Sequence, residues 1–425
     1  MTVAAGNPPG DFVQVGATRD GLDPYLDCAR RRGMRAVLVE TPAYLRWRRL
    51  LGRREFDVEV AVARPQDPDA VRASLAAAAV APALVLTGFE RYVYAGFALA
   101  RALRVAPWPG AGDGFRPLDK REQRETLLRG APQVAQPRFV PLGPGDGDEA
   151  DPLAFPQVIK PADGGGGLGV LLVDGAAQRR RALDRVRNLV NYGGGAFSAI
   201  VAEEFVKGPE LSLQGVAHEG GAVLLSVCEK LTSLEEVRGE PGLAGFREVG
   251  HVARAGGGAP PALRELAQAC LDATGYRAGP FHVDVIQGPS GPVFVEMGFR
   301  LSGGGLVALV EKATGADWAE LAFRTHLGDA VPVPPPGAGI AGQVSAVSEH
   351  ELTAAEALQE PGVAVEIQRA APPPDPAALP ADDLPVLTSD LARHTGAVGR
   401  VVVSGDPGDR IPALLHSLVA HRLRG

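Results

Sequence analysis

The sequence predicts two architectures in tandem, a parallel α/β unit followed by an α+β unit. Three observations lead there. Across residues 1–115 short apolar runs alternate with helical spacing. From Phe155 to Leu327 strand-like runs dominate. Near the start of that second part, Val158-Ile159-Lys160-Pro161-Ala162-Asp163-Gly164-Gly165-Gly166-Gly167-Leu168-Gly169-Val170 joins an apolar strand ending in lysine to a glycine-rich loop.

In the first unit, strand signals fall at Phe12 to Gly16, Ala36 to Glu40, Phe56 to Val62 and Ala83 to Thr87, with helical spacing at Leu22 to Arg32. The Gly16 turn lacks GxGxxG, which argues against a dinucleotide site. Asp119-Lys120 opens a charged helical stretch to Arg129, Pro137 to Leu142 returns to extended chain, and GPGDGDEADP is a loop by composition. Helices are expected at Ala176 to Val190, Pro261 to Thr274 and Leu306 to Leu327. Beyond Gly328, two proline-rich stretches separate strand signals at Ala364 to Gln368 and Val398 to Val403, and proline there favours stiff connections or edge positions.

A length of 425 residues with 45% hydrophobic content suits two or three globular domains. A net charge of −7 disfavours nucleic acid as a partner. With neither a basic, apolar leader nor an apolar run long enough to cross a bilayer, the expected location is the cytoplasm, away from membranes. Cys28, Cys228 and Cys270 have no metal-binding or disulfide spacing and read as small buried side chains. Only five lysines (Lys120, Lys160, Lys207, Lys230, Lys312) occur against 38 arginines, so a lysine marks a place for a compact ammonium.

Lys160 and the glycine loop suggest a phosphate grip: glycine lets backbone N–H groups close on an anion while the ammonium supplies charge. A flexible surface loop has the same composition. Ile200 to Ser212 runs from an apolar strand through Glu203-Glu204-Phe205-Val206 and an acidic turn into another strand, a hinge able to meet an adenine edge and ribose hydroxyls, or an ordinary hairpin with an acidic tip. Gly279 to Arg300 reads as a hairpin. With a five-residue loop at Gly288 to Pro292, Gln287 pairs with Val293 and Asp284 lies opposite Glu296. His282, Ile286 and Phe294 then share the carboxylates' face, while Val283, Val285, Val295 and Met297 point to the core. Facing carboxylates repel, and a hard cation such as magnesium, shared with phosphate oxygens, removes the conflict. Arg300 is placed to reach a phosphoryl group or a substrate carboxylate.

In this order, LDKREQRETLLRG, VIKPADGGGGLGV, VAEEFVKGPELS, FHVDVIQGPSGPVFVEMGFRLSGGG and LVALVEKATG resemble the ATP-grasp superfamily, in particular carboxylate–amine ligases that include L-amino acid (dipeptide) ligases. The resemblance implies an ATP-grasp fold with an N-terminal parallel α/β (pre-ATP-grasp) domain at 1–115, a central nucleotide-binding domain at 116–328 and a C-terminal lid-like α+β domain at 329–425. By similarity, Lys120 and Lys160 touch the ATP phosphates under a loop that includes Gly166, Gly167 and Leu168. Glu203 with the backbone at Phe205 and Val206 holds adenine beside Phe294, Glu210 holds ribose, and Asp284 and Glu296 ligate Mg2+. Catalysis falls to Lys160 and Arg300. Substrate contacts are expected from Lys230, His251, His282, Ser302, Gly303 and Gly304, with Leu231 to Gly245 as a covering loop. Two departures stand out: Glu296-Met297-Gly298 replaces an E-x-N pattern, and Asp284 stands where glutamate is common.

The implied reaction forms an acyl phosphate and ADP, then an amide, from small-molecule substrates: an amino acid carboxylate and an amine. A homodimer is the prior for such enzymes. The same fold acting on bicarbonate or a purine-type intermediate, and a non-catalytic nucleotide-binding subunit, are the alternatives.

Overall fold

The computed structural model describes residues 10–143, 153–191, 195–332, 339–358, 360–372, 374–394, 396–405 and 410–423. GPGDGDEADP and the first proline-rich stretch fall largely outside them.

The N-terminal unit is a four-stranded parallel sheet built from β1 (Asp11–Val15), β2 (Ala36–Glu40), β3 (Val58–Ala61) and β4 (Pro82–Thr87), in the order β3-β2-β1-β4. Every residue of β1 and β2 is buried, as expected for strands covered on both faces by crossover helices. Helices Pro42–Leu50 and Pro68–Ala77 each start at a capping side chain, Thr41 and Asp67, with proline in the first turn.

The remaining strands are β5 (Phe139–Leu142), β6 (Gln157–Pro161), β7 (Leu171–Val173), β8 (Ile200–Glu204), β9 (Glu210–His218), β10 (Gly221–Glu236), β11 (Ala244–Ala255), β12 (Gly279–Gly288), β13 (Gly291–Gly298), β14 (Ile340–Ala346), β15 (Val363–Arg369) and β16 (Gly399–Gly405). They form one sheet along the path β13-β12-β9-β10-β11-β7-β6-β8-β5, with β14 branching from β11 and carrying β16 and then β15. Helices Lys120–Gly130 and Pro261–Thr274 pack on the β12–β13 end, where Val283, Val285, Phe294 and Met297 share a core with Leu127, Leu266 and Cys270.

Three expectations need correction. The expected helix from Leu306 to Leu327 is two, Leu306–Thr314 and Trp318–Leu327, because Gly315 takes the left-handed conformation (φ +72°) and Asp317 caps a new start. The expected covering loop at Leu231 to Gly245 is mostly ladder: β10 and β11 run on as a long antiparallel hairpin. The β12–β13 connection is tighter than five residues, since Gly288 pairs with Gly291 and Gln287 with Pro292. A register shift between Asp284 and Val285 then leaves Val295 as the extra residue, which restores Asp284 opposite Glu296 and turns Phe294 to the core face beside Val285. Phe294 therefore does not extend the carboxylates' face.

The end of the chain returns to its beginning. Helix Leu384–His394 and the turn before it lie against the N-terminal unit, where Asp383 pairs with Arg46 and Asp390 with the buried Arg19. Leu379 and Leu387 join the core around Tyr44 and Trp47.

Candidate functional site

The site forms where helix Lys120–Gly130, the glycine loop after β6, the β9–β10 ladder and the β12–β13 hairpin meet. Asp119 caps the helix reciprocally with Glu122, which fixes its first turn and hence Lys120. One turn along, Gln123 clasps the backbone of β13 through both ends of its amide, Nε2 to Met297 O at 2.8 Å and Met297 N to Oε1 at 2.9 Å. This locks Glu296 beside Lys120, whose ammonium lies 2.8 Å from Glu296 Oε2 and also bonds Gly164 O of the glycine loop.

Two lysine–carboxylate groups result. In the first, Lys160 at the end of β6 and Glu203 of β8 are 2.7 Å apart, and Glu203's other oxygen accepts from Arg124 Nε at 2.9 Å; all three are buried. Burial acts against ionised Glu203, but Lys160 and Arg124 outweigh it and hold its carboxyl below the usual range. Burial also lowers Lys160, to about 8, with Glu203 offsetting only part. Both Glu203 oxygens are thus spent on cations, so its place is behind Lys160 and not at an open nucleobase edge.

In the second, Lys230 of β10 lies 2.7 Å from Glu210 and bonds Asp284, whose other oxygen accepts from the Ser212 hydroxyl. Register makes this arrangement: Lys230 pairs with Glu210, Ser212 with Asp284, and Asp284 with Glu296 across three neighbouring ladders. Burial opposes the Lys230 charge, yet Asp284 and Glu210 hold it well above its ordinary value. Glu296 is held well below its own range against burial by Lys120 and Lys230, with Lys160 contributing. Lys160 is thus near enough to act on the hairpin carboxylates, and Glu210 is drawn toward Lys230.

The glycine loop takes left-handed conformations at Gly166 (φ +63°), Gly167 (φ +73°) and Gly169 (φ +76°), which explains why glycine is required there. Gly166 and Gly167 are exposed and Leu168 is half-buried. The loop comes down toward Phe246 of β11, whose N–H bonds Val170 O. Phe246 also lies near-parallel to Phe205 of the hinge, with ring centroids 6.2 Å apart at 26°. Phe205 N–H is committed to Pro156 O, and Val206 is half-buried at the hinge.

On the other flank, Arg300 pairs through Nε with Glu90 of the N-terminal unit at 2.6 Å. Ser302 is buried with its hydroxyl unpartnered. Gly303 faces open space, and Gly304 O accepts from Gln343 at 2.7 Å. Gln343 also approaches His251 Nδ1, at 3.5 Å, while His251 Nε2 is 3.2 Å from Glu248. His282 lies beside Arg300 O, 3.4 Å from Nδ1, and burial lowers its pKa. Gln123, Arg124, Glu90, Ser212 and Gln343 escaped the sequence reading. The capping box at Asp119 and the helical spacing behind Lys120 signalled the first two; no local pattern marks Glu90 or Gln343, which arrive from distant parts of the chain.

The donor set suits a magnesium ion in part. One oxygen of Glu296 is bonded to Lys120 and no described residue bonds the other, which leaves a hard carboxylate ligand available beside that lysine. Asp284 has both oxygens engaged. Among the described residues no three His, Cys, Asp or Glu side chains converge as a metal group, and no helix is long and apolar enough to cross a membrane.

Residues 123–304 match the ATP-grasp domain family. The chain is 23% identical over 161 residues to dapdiamide A synthase of Enterobacter agglomerans, a match spanning 38% of this chain and 37% of that protein. Over nearly its whole length it superposes on an L-amino acid ligase from Bacillus licheniformis (TM-score 0.66, 18% identity, 97% of this chain and 98% of that one). It likewise superposes on biotin carboxylase from Campylobacter jejuni in a complex with an ATP analogue (TM-score 0.62, 14% identity, 97% and 91%).

Proposed function

Since residues 123–304 match the ATP-grasp domain family, we propose that this chain is an ATP-dependent ligase forming an amide between an amino acid carboxylate and an amine, the amine being a second amino acid. The observation that carries this reading is the convergence of Lys120, Lys160 and Lys230 on carboxylates held by sheet register, with Arg300 and an unpartnered Ser302 on the adjoining flank. Cations gathered around buried and half-buried carboxylates suit phosphoryl transfer, where catalysis is mostly positioning and charge neutralisation.

The residues divide the work. Lys160 and Lys120 meet the triphosphate under the glycine loop, and Glu203 with Arg124 fixes Lys160. Phe205 and Phe246 bound the adenine end. Glu296 would hold magnesium, which when bound would supply positive charge to the phosphate oxygens. Arg300 binds the acid substrate's carboxylate, whose oxygen attacks the γ-phosphorus and releases ADP. The N–H groups of Gly303 and Gly304, at the start of helix Leu306–Thr314, hold the resulting acyl phosphate. The amine then attacks the acyl carbon and phosphate leaves. Glu248, paired with His251 at 3.2 Å, takes the proton that the amine loses.

The test is a pairwise amino acid screen that reads phosphate and ADP, with mass spectrometry of the product. ADP formation that requires both an acid and an amine supports the reading. AMP as the nucleotide product, or ADP formation driven by bicarbonate and indifferent to amino acids, overturns it.

A further inference from the structure

Gly298 and His282 occupy one registered pair on the carboxylates' face of the hairpin. A Cβ at position 298 would fall inside van der Waals contact of His282 Cε1 and 2.5 Å from Nε2, so the imidazole fills the space a side chain at 298 would need. Arg300 O, 3.4 Å from Nδ1, stands against the ring's other edge. Two positions along the same strand, Asp284 is saturated: Ser212 donates to one oxygen and Lys230 to the other. Ser212 is Asp284's ladder partner on β9, and Lys230 is the partner of Glu210, two residues from Ser212, so the sheet itself sets these contacts.

Charge points the same way. The hairpin cluster holds three carboxylates (Glu210, Asp284, Glu296) and two ammoniums (Lys120, Lys230). One negative charge is left over; Glu210 and Glu296 each keep one oxygen that no described residue bonds, and only Glu296 stands beside Lys120 and the glycine loop. A second divalent ion on Asp284 would have to displace the half-buried Lys230 from two carboxylates at once, and stripping the buried Asp284 of its ammonium partner is costly.

We infer that the centre takes a single divalent ion, at Glu296, and that the Lys230 ammonium is a built-in cation standing on Asp284 where a second ion would otherwise bind. The inference rests on the ligase reading and sharpens it: phosphate charge is neutralised by one ion and a fixed lysine.

The full chain is titrated with Mn2+ in the presence of a β,γ-imido ATP analogue, and bound ions per bound nucleotide are counted by electron paramagnetic resonance. One Mn2+ per nucleotide, with no Mn–Mn coupling, is expected. In Lys230→Met, which frees an Asp284 oxygen, the count rises from one to two. Two coupled ions in the wild-type chain overturn the inference while leaving the ligase reading intact, and this measurement needs no variant to fold. A Lys230→Met protein that binds nucleotide and stays at one ion overturns the part given to the lysine. A wild-type chain that binds neither Mn2+ nor nucleotide sinks the ligase reading itself.

Discussion

The two lysine–carboxylate groups use the same residue types for opposite ends. Around Lys160, burial is complete and Glu203 has no oxygen left to offer: the group is a bracket whose one product is a fixed ammonium. Around the hairpin, Glu296 stays half-buried and keeps an oxygen in reserve. Pairing alone therefore does not separate scaffold from chemistry. What separates them is whether every carboxylate oxygen already has a partner among the described residues.

Substitutions in the two groups should fail differently. The largest effect is expected at Glu296→Gln, which removes the reserve charge while keeping shape: ADP formation should fall about a thousand-fold with unfolding temperature nearly unchanged. A fall in stability with activity retained would make the hairpin cluster another bracket. Glu203→Gln should do the reverse, leaving Lys160 and Arg124 as partly compensated buried charges at a cost of about 3–5 kcal/mol in denaturant unfolding. A Glu203→Gln protein as stable as wild type would show that the bracket is not one. Gly298→Ala pushes a methyl into the His282 ring and should cost about 1–3 kcal/mol, with His282→Ala in the same chain recovering part of it.

The smallest effect is one of pH. Lys160 has a pKa near 8, so it is charged below that and increasingly neutral above. The KM for ATP should rise about tenfold between pH 7 and pH 9 through loss of this ammonium. Stability moves the opposite way for this group alone: between about 8 and 10.5 the unfolded chain binds the proton and the folded chain does not, so the burial penalty is relieved as pH rises. A KM flat to pH 9.5 would place the charged ammonium away from the nucleotide.

Much of this was legible in the sequence because the signals are local. Alternation gave the strands, the charged stretch opened by Asp119-Lys120 gave the helix that carries Lys120, and two acidic residues on facing strands gave the hairpin carboxylates. The Val295 bulge was not legible, because a tighter turn and an extra residue cancel and leave Asp284 opposite Glu296 by either count. Phe294 was misassigned for that reason. Gly315 with Asp317 did carry a helix-stop and helix-start signal, overridden by the apolar spacing on both sides. Glu90 was beyond sequence reading, since nothing near it foretells a partner 210 positions away.

The clasp of Asp383 and Asp390 on Arg46 and Arg19 makes the molecule a closed loop mechanically as well as in outline. Arg19 is stacked against Tyr44 and Phe89 and has almost no contact with solvent. Trimming the chain before residue 380 would strip that guanidinium of one of its two carboxylates and bare the apolar surface under Leu387. Phe89 is next to Glu90, so the loosening would reach the residue that holds Arg300. The stretch from Leu379 to Asp390 thus acts as a remote buttress for Arg300.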